Sequence, residues 1–405
     1  MRAEIAEMGG HPRCTLIGGG RTSPDRAALH NAAAVRYLDF NDSFMAPGET
    51  CHPSDNLGAV LAAVEHAGGD GRDLMVALAV AYQVQCRLSE VAPVRARGFD
   101  HVTQGAYAAA AGTARGLGLD AAATANAIAI AGTAFNALRV TRTGALSNWK
   151  GLAYPNTAFG AVHAAFLARA GITGPAEVFE GNKGFRDAIA GPFEIDWARE
   201  DLEAVTRTSV KRFNAEFHSQ AVLEAVLELR PDPAQVERVE VDVFQVAYDI
   251  IGGGEEGDKR AVRTKEEADH SLPYLVAVAV LDGDVLPAQY APDRIARADV
   301  QALLRRVHVR PDPSLTALFP ERHACRVRVV LRDGRVLARE RSDYLGFLTR
   351  PAGWDDVEGK FRRQAEPVAG EEVAGRIVAA VRDLEHTSVA ALSSLLERAG
   401  AKEDS

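Results

Sequence analysis

The stretch TQGAYAAAAGTARGL (Thr103–Leu117), followed after three residues by AAATANAIAIAGTAFNAL (Ala121–Leu138), decides the fold. Alanine has the highest helix propensity, and small side chains let helix axes approach closely. Working outward, Leu57–Ala67, Asp73–Leu88 and Asn156–Ala170 repeat apolar residues at three- and four-residue spacing, so each predicts a helix. Gly68-Gly69, Gly116, Gly118 and Gly171 fall where these helices should end. This much alanine predicts a closely packed multi-helix core with little room for a sheet.

The pattern changes near Thr206. VERVEVDVFQV (Val236–Val246) alternates apolar and polar residues as a half-buried strand does, and RVRVVLRDGRV (Arg326–Val336) reads as a hairpin turning at Asp333-Gly334. Helical spacing recurs at Ser219–Leu229, Ser271–Leu281 and Ser314–Leu318, and again at Asp355–Gln364, Gly370–Leu384 and Ser388–Gly400. The expected architecture is mainly α, with an inserted α+β lid domain. Residues 1–206 form the helical domain, 207–348 the lid, and 349–405 rejoin the helical domain.

With 405 residues, 47% hydrophobic and 25% charged, the chain can bury a large core, and a net charge of −9 argues against a nucleic-acid binder. The four cysteines (Cys14, Cys51, Cys86, Cys325) form no CxxC pair, so they read as thiols in a reducing compartment. The N-terminal residues lack a signal-peptide core, and the uncharged stretches suit buried helices better than membrane spans, so a cytoplasmic location is expected. No HExxH, clustered Cys/His set, Walker loop, dinucleotide fingerprint or GxSxG elbow is present, and no metal site is expected.

Several polar clusters precede helices. His52 lies in CHPSD (Cys51–Asp55), where Ser54 or Asp55 can cap the helix beginning near Leu57; on its own spacing His52 is a helix-flanking surface residue. His101 precedes the alanine-rich helix, where the helix dipole favours a neutral imidazole and attracts anions. Arg142 and Lys150 belong to the cationic connector Arg139–Gly151, whose Trp149 favours a site loop over a solvated one. Lys211 and His218 sit in KRFNAEFHSQ, a segment that read locally is a strand-to-helix junction. His270 and Tyr274 sit in DHSLPY, with Asp269 or Ser271 as a cap.

In order along the chain, LDFNDSF (Leu38–Phe44), HPSDNLG (His52–Gly58), FDHVTQG (Phe99–Gly105), TRTGALSNWKG (Thr141–Gly151), GITGPAEVFEG (Gly171–Gly181), KRFNAEFHSQ (Lys211–Gln220), DHSLPY (Asp269–Tyr274) and EGKFRR (Glu358–Arg363) resemble the MmgE/PrpD family. HPSDNLG and AEFHSQ look closer to its 2-methylcitrate dehydratase branch than to its cis-aconitate decarboxylase branch. The resemblance implies a homodimer with its site between the two domains, and neither metal nor organic cofactor. It implies pocket positions for Asp39, His52, His101, Lys150, Lys211 and Tyr274, with His218 and His270 as additions.

The reaction expected is loss of water from a small di- or tricarboxylate after proton abstraction next to a carboxylate. Lys211, Arg142 and Lys150 would stabilise the enolate-like charge. One of His52 and His101 would be the base, the other or Tyr274 the acid, with Asp39 orienting a histidine. Decarboxylation, epimerisation of an acidic substrate and non-catalytic carboxylate binding are the alternatives.

Overall fold

The computed structural model describes residues 1–144 and 146–400; Ala145 of TRTGALSNWKG and residues 401–405 of the final expected segment lie outside the described residues. Helices Pro24–Arg36, Leu57–Ala67, Gly71–Val91, Val102–Gly116, Ala121–Ala134 and Trp149–Arg169 pack on one another. Their contacts are mostly alanine, including Ala59, Ala109, Ala131 and Ala161, all fully buried. A Cβ on Gly58 would come within 2.3 Å of the Ala32 backbone, so the helices meet almost backbone to backbone.

Two helix boundaries differ most from the sequence expectation. The helix expected to reach Leu138 stops at Ala134, because the chain turns so that Leu138 pairs with Phe99. The helix expected from Asn156 begins at Trp149 and keeps Pro155 inside it. Pro155 removes one backbone donor from the seventh position of this helix, and Lys150 enters its first turn.

The smaller α+β domain has a four-stranded sheet in the order Val307–Pro311, Val236–Val243, Cys325–Leu331, Val336–Arg341. The first pair is parallel and the others antiparallel. The expected hairpin turns where Gly334 adopts φ +86°, a conformation glycine takes at little cost. The helices Gln220–Leu229 and Leu272–Asp282 contribute to the same core, through Leu223, Leu275 and Val278.

A second sheet has no counterpart in the sequence expectation. Glu49–Cys51, Asp42–Ala46 and Ser209–Val210 form three short strands joining the two domains. The register Asp42↔Val210 brings Lys211 beside the Asp39–Asn41 segment. Strands this short carry no readable alternation. The C-terminal helical region runs from Trp354 to Arg382 with a break at Gly370 (φ +77°), and Val389–Arg398 packs Val389 and Leu392 against Val60, Leu61 and Leu74 of the helical domain.

Candidate active site

A narrow, polar cleft lies between the domains. His52, His101, Arg142, Lys150 and Asp39 line it from the helical side, and Lys211, His218 and His270 from the α+β side. The sequence-predicted residues therefore converge, except Tyr274. Its side chain is fully buried in the α+β core and its hydroxyl donates to the Gln289 carbonyl, so it is a packing residue away from the cleft. The apolar start of the Leu272–Asp282 helix draws it inward. Ser271 is the cap, accepting from the Tyr274 amide, whereas Asp269 binds cations.

His52 follows the strand Glu49–Cys51 and is 9% exposed, a cleft residue where local spacing gave a surface one. Its Nδ1 donates to the Asp42 carbonyl at 2.6 Å, which leaves the Nε2 lone pair available. Asp55 does not cap the following helix: it is buried, accepts from Asn41 at 2.8 Å and faces Arg36 at 3.9 Å. Burial pushes its carboxyl up to about 7.

His101 caps no helix with its side chain. Its Nδ1 meets the Asp100 carboxylate at 3.2 Å, and its buried Nε2 has no partner among the described residues. Burial, with Arg142 and Arg36 adding, pushes its pKa down to about 3 against the opposing pull of Asp100. His52 is likewise held well below the usual histidine range by burial, Arg36 and Lys211. Both imidazoles are neutral near pH 7, with ring centroids 5.4 Å apart and edge to face.

Asp100 is a fully buried carboxylate behind His101 that the sequence expectation lacks, although an Asp-His pair at a helix start was its signal. Arg142 Nε donates to it at 2.6 Å. Arg142 and His101 overcome the burial penalty and hold Asp100 well below the usual carboxylate range. Two backbone bonds, Asp100 N to Ala137 O at 2.9 Å and Arg139 N to Gly98 O at 2.9 Å, fix the cationic turn against the His101 loop. Trp149 is 48% exposed and absent from the cleft lining, so the connector lines the site through its cations and not through the tryptophan.

Asp39 orients no histidine. It adopts φ +54° and takes Lys211 Nζ on its carbonyl at 2.7 Å and its carboxylate at 3.0 Å, with Arg36 at 3.1 Å. Across the same seam, Asp269 receives Lys150 at 3.2 Å and Lys265 at 2.6 Å, and His270 Nδ1 at 2.6 Å. Glu216 holds His218 Nδ1 at 2.7 Å. Asp39, Asp269 and His270 present ligand atoms within 4.8 Å of one another, a spacing a metal ion can use. Lys211, Lys150 and Lys265 already sit on those carboxylates, so the donor set is matched by ammonium groups and fits a metal poorly.

Among the described residues, six cations (Arg36, Arg95, Arg139, Arg142, Lys150, Lys211) and four carboxylates (Asp39, Glu49, Glu216, Glu256) line the cleft around His52 and His101. Arg36, Arg95, Glu49 and Glu256 are not legible in the sequence, because each has a partner far along the chain. A two-domain site with neutral imidazole bases facing buried cations is suited to proton transfer next to a carboxylate.

The MmgE/PrpD N-terminal domain model matches residues 1–198, and the MmgE/PrpD C-terminal domain model matches residues 213–386. The chain belongs to the MmgE/PrpD family. It is 30% identical to 2-methylcitrate dehydratase of Cupriavidus necator, over 84% of this chain and 74% of that one. Identity to 2-methylcitrate dehydratase of Escherichia coli (strain K12) is 28%, over 74% and 66%. Identity to cis-aconitate decarboxylase of Mus musculus is 25%, over 90% and 76%. No described helix is long and apolar enough to cross a membrane.

Proposed function

We propose that the chain is a metal- and cofactor-independent hydro-lyase acting on a small di- or tricarboxylate, of the 2-methylcitrate dehydratase kind. The observation that carries this reading is the pair of imidazoles amid buried cations, His52 hydrogen-bonded through Nδ1 to the Asp42 carbonyl and His101 with Nδ1 3.2 Å from the Asp100 carboxylate and Nε2 without a partner among the described residues. His101 takes the proton from the carbon next to a carboxylate, and Asp100 balances the imidazolium that forms. Lys211, Arg142 and Lys150 stabilise the charge that develops on the carboxylate.

With Tyr274 outside the cleft, the leaving hydroxyl needs another donor. Lys150 is the choice: burial lowers its pKa, which makes its ammonium a better acid. His52 shapes the base's surroundings and excludes water. Residues 207–348 act as the lid over a site carried by 1–206, with 349–400 bracing both, and the functional unit is a homodimer. Exposed Leu138, Val140 and Trp149 beside the cationic turn supply apolar surface for it.

Decarboxylation is the second reading, favoured by the larger share of this chain that aligns with cis-aconitate decarboxylases. Product analysis by NMR after incubation with 2-methylcitrate, citrate and cis-aconitate separates the two. Loss of water with a new alkene signal supports the proposal; release of carbon dioxide from cis-aconitate, with no dehydration, overturns it.

A further inference from the structure

Two cations at the mouth of the cleft differ from those deeper inside. Lys211 and Arg142 are hydrogen-bonded to carboxylates at 3.0 and 2.6 Å. Arg95, on the turn Arg95–Arg97, lies 3.7 Å from Glu256, and Arg139 lies 3.6 Å from Glu256 and 3.8 Å from Asp100. None of these is a hydrogen-bonding distance. The two guanidinium groups share one carboxylate that closes onto neither.

That carboxylate comes from the α+β domain, on the loop GGGEEG (Gly252–Gly257), where Gly253 and Gly257 adopt φ +108° and +88°. Lys259 adds a third cation at 4.0 Å. Glu49, the other carboxylate at this end, is turned to the Val94 and Arg95 backbone amides at 3.1 Å each. Burial and the neighbouring Arg95 also lower the pKa of Arg139, the direction expected of a guanidinium short of a close anion.

We infer that Arg95 and Arg139 form a carboxylate subsite at the cleft mouth, with Glu256 as a built-in competitor that a substrate carboxylate displaces. This rests on the polycarboxylate reading and narrows it. One carboxylate of the substrate meets Lys211, Lys150 and Arg142, and a second, on the same molecule, bridges Arg95 and Arg139. Guanidinium forks suit this exchange because they offer paired donors to a planar carboxylate. A monocarboxylate fills one position only and binds weakly.

The test is isothermal titration with tricarballylate, which has three carboxylates and no hydroxyl to lose, and with butyrate as the monocarboxylate. Wild type, Arg139→Gln, Arg95→Gln, Glu256→Gln and the Glu256→Gln/Arg139→Gln double variant are compared, with thermal melts to confirm folding. Arg139→Gln and Arg95→Gln should each weaken tricarballylate about tenfold. Glu256→Gln should tighten it by about threefold or more, and this gain should vanish in the double variant. Wild-type affinity in folded Arg139→Gln and Arg95→Gln, or weaker binding by Glu256→Gln, overturns the subsite while leaving the functional reading standing. Absence of saturable binding of any polycarboxylate to the folded wild type overturns both.

Discussion

The rings of His52 and His101 meet edge to face with centroids 5.4 Å apart, and each has an oxygen behind its Nδ1, at 2.6 Å for His52 and 3.2 Å for His101. The two holders differ. His52 leans on the uncharged Asp42 carbonyl, whereas His101 leans on the Asp100 carboxylate, and only a carboxylate balances an imidazolium. In the proposed mechanism, that asymmetry is the reason His101 is taken as the base.

Asp100→Asn keeps the shape of the side chain and removes its charge. The introduced amide can donate to the His101 Nδ1 and place the ring proton on Nε2, the tautomer that cannot accept. We expect kcat to fall by on the order of 10²-fold or more, with KM changing much less. Steady-state kinetics on the substrate found by product analysis check this; a change confined to KM contradicts it.

Lys211 and Asp39 are both buried, so breaking the pair leaves a charge with less compensation. Lys211→Met should lower unfolding free energy by about 3–5 kcal/mol. Lys211→Met/Asp39→Asn should recover much of that, since asparagine tolerates the positive φ at this position, yet remain inactive. Denaturant unfolding and activity assays on both variants decide it; equal stability of the two variants argues against the pair as described.

Acidification should destabilise the fold through its buried histidines. His52, His101, His270 and His323 all have folded pKa values below the ordinary value of 6.5, through burial first. Their contribution is fully present above pH 6.5. As pH falls below that, the unfolded chain gains protons that the folded chain does not, and each such histidine removes about 1.4 kcal/mol per pH unit until its folded pKa is reached. His101→Gln should flatten the decline between about pH 6 and 4 relative to wild type, as chemical denaturation at stepped pH would show. An unchanged slope contradicts the assignment of His101 as neutral and buried.

The Asp39–Asp269–His270 cluster has a metal's spacing but carries ammonium groups instead. Dialysis against EDTA should leave turnover within about twofold of the starting rate, because ammonium groups already balance those carboxylates. Loss of activity restored by one divalent ion contradicts the account.

Helical periodicity and alanine content are enough to read the helices Leu57–Ala67 and Val102–Gly116 almost to the residue, and Gly71–Val91 to within three. Alternation is enough for Val236–Val243 and the hairpin at Gly334. What stays hidden is assembled by distance. The helix Pro24–Arg36, whose Arg36 faces the cleft, carries no strong apolar stripe, and the joining sheet has strands of two to five residues. The cleft histidines and lysines are recognisable through ordered motifs, while their partners are not. Asp100 is next to His101 in sequence, but its value lies in Arg142, 42 residues on. Tyr274 shares a motif with His270, and the start of the helix turns one toward the cleft and the other into the core.

That His101 abstracts the proton, with His52 beside it, is tested most directly by comparing turnover and ligand affinity in His101→Gln and His52→Gln. Single-turnover kinetics give the chemical step, and titration with tricarballylate gives binding. We expect a chemical step slowed by about 10²-fold or more in His101→Gln, with affinity kept within about threefold. A folded His101→Gln enzyme that turns over at the wild-type rate would contradict it.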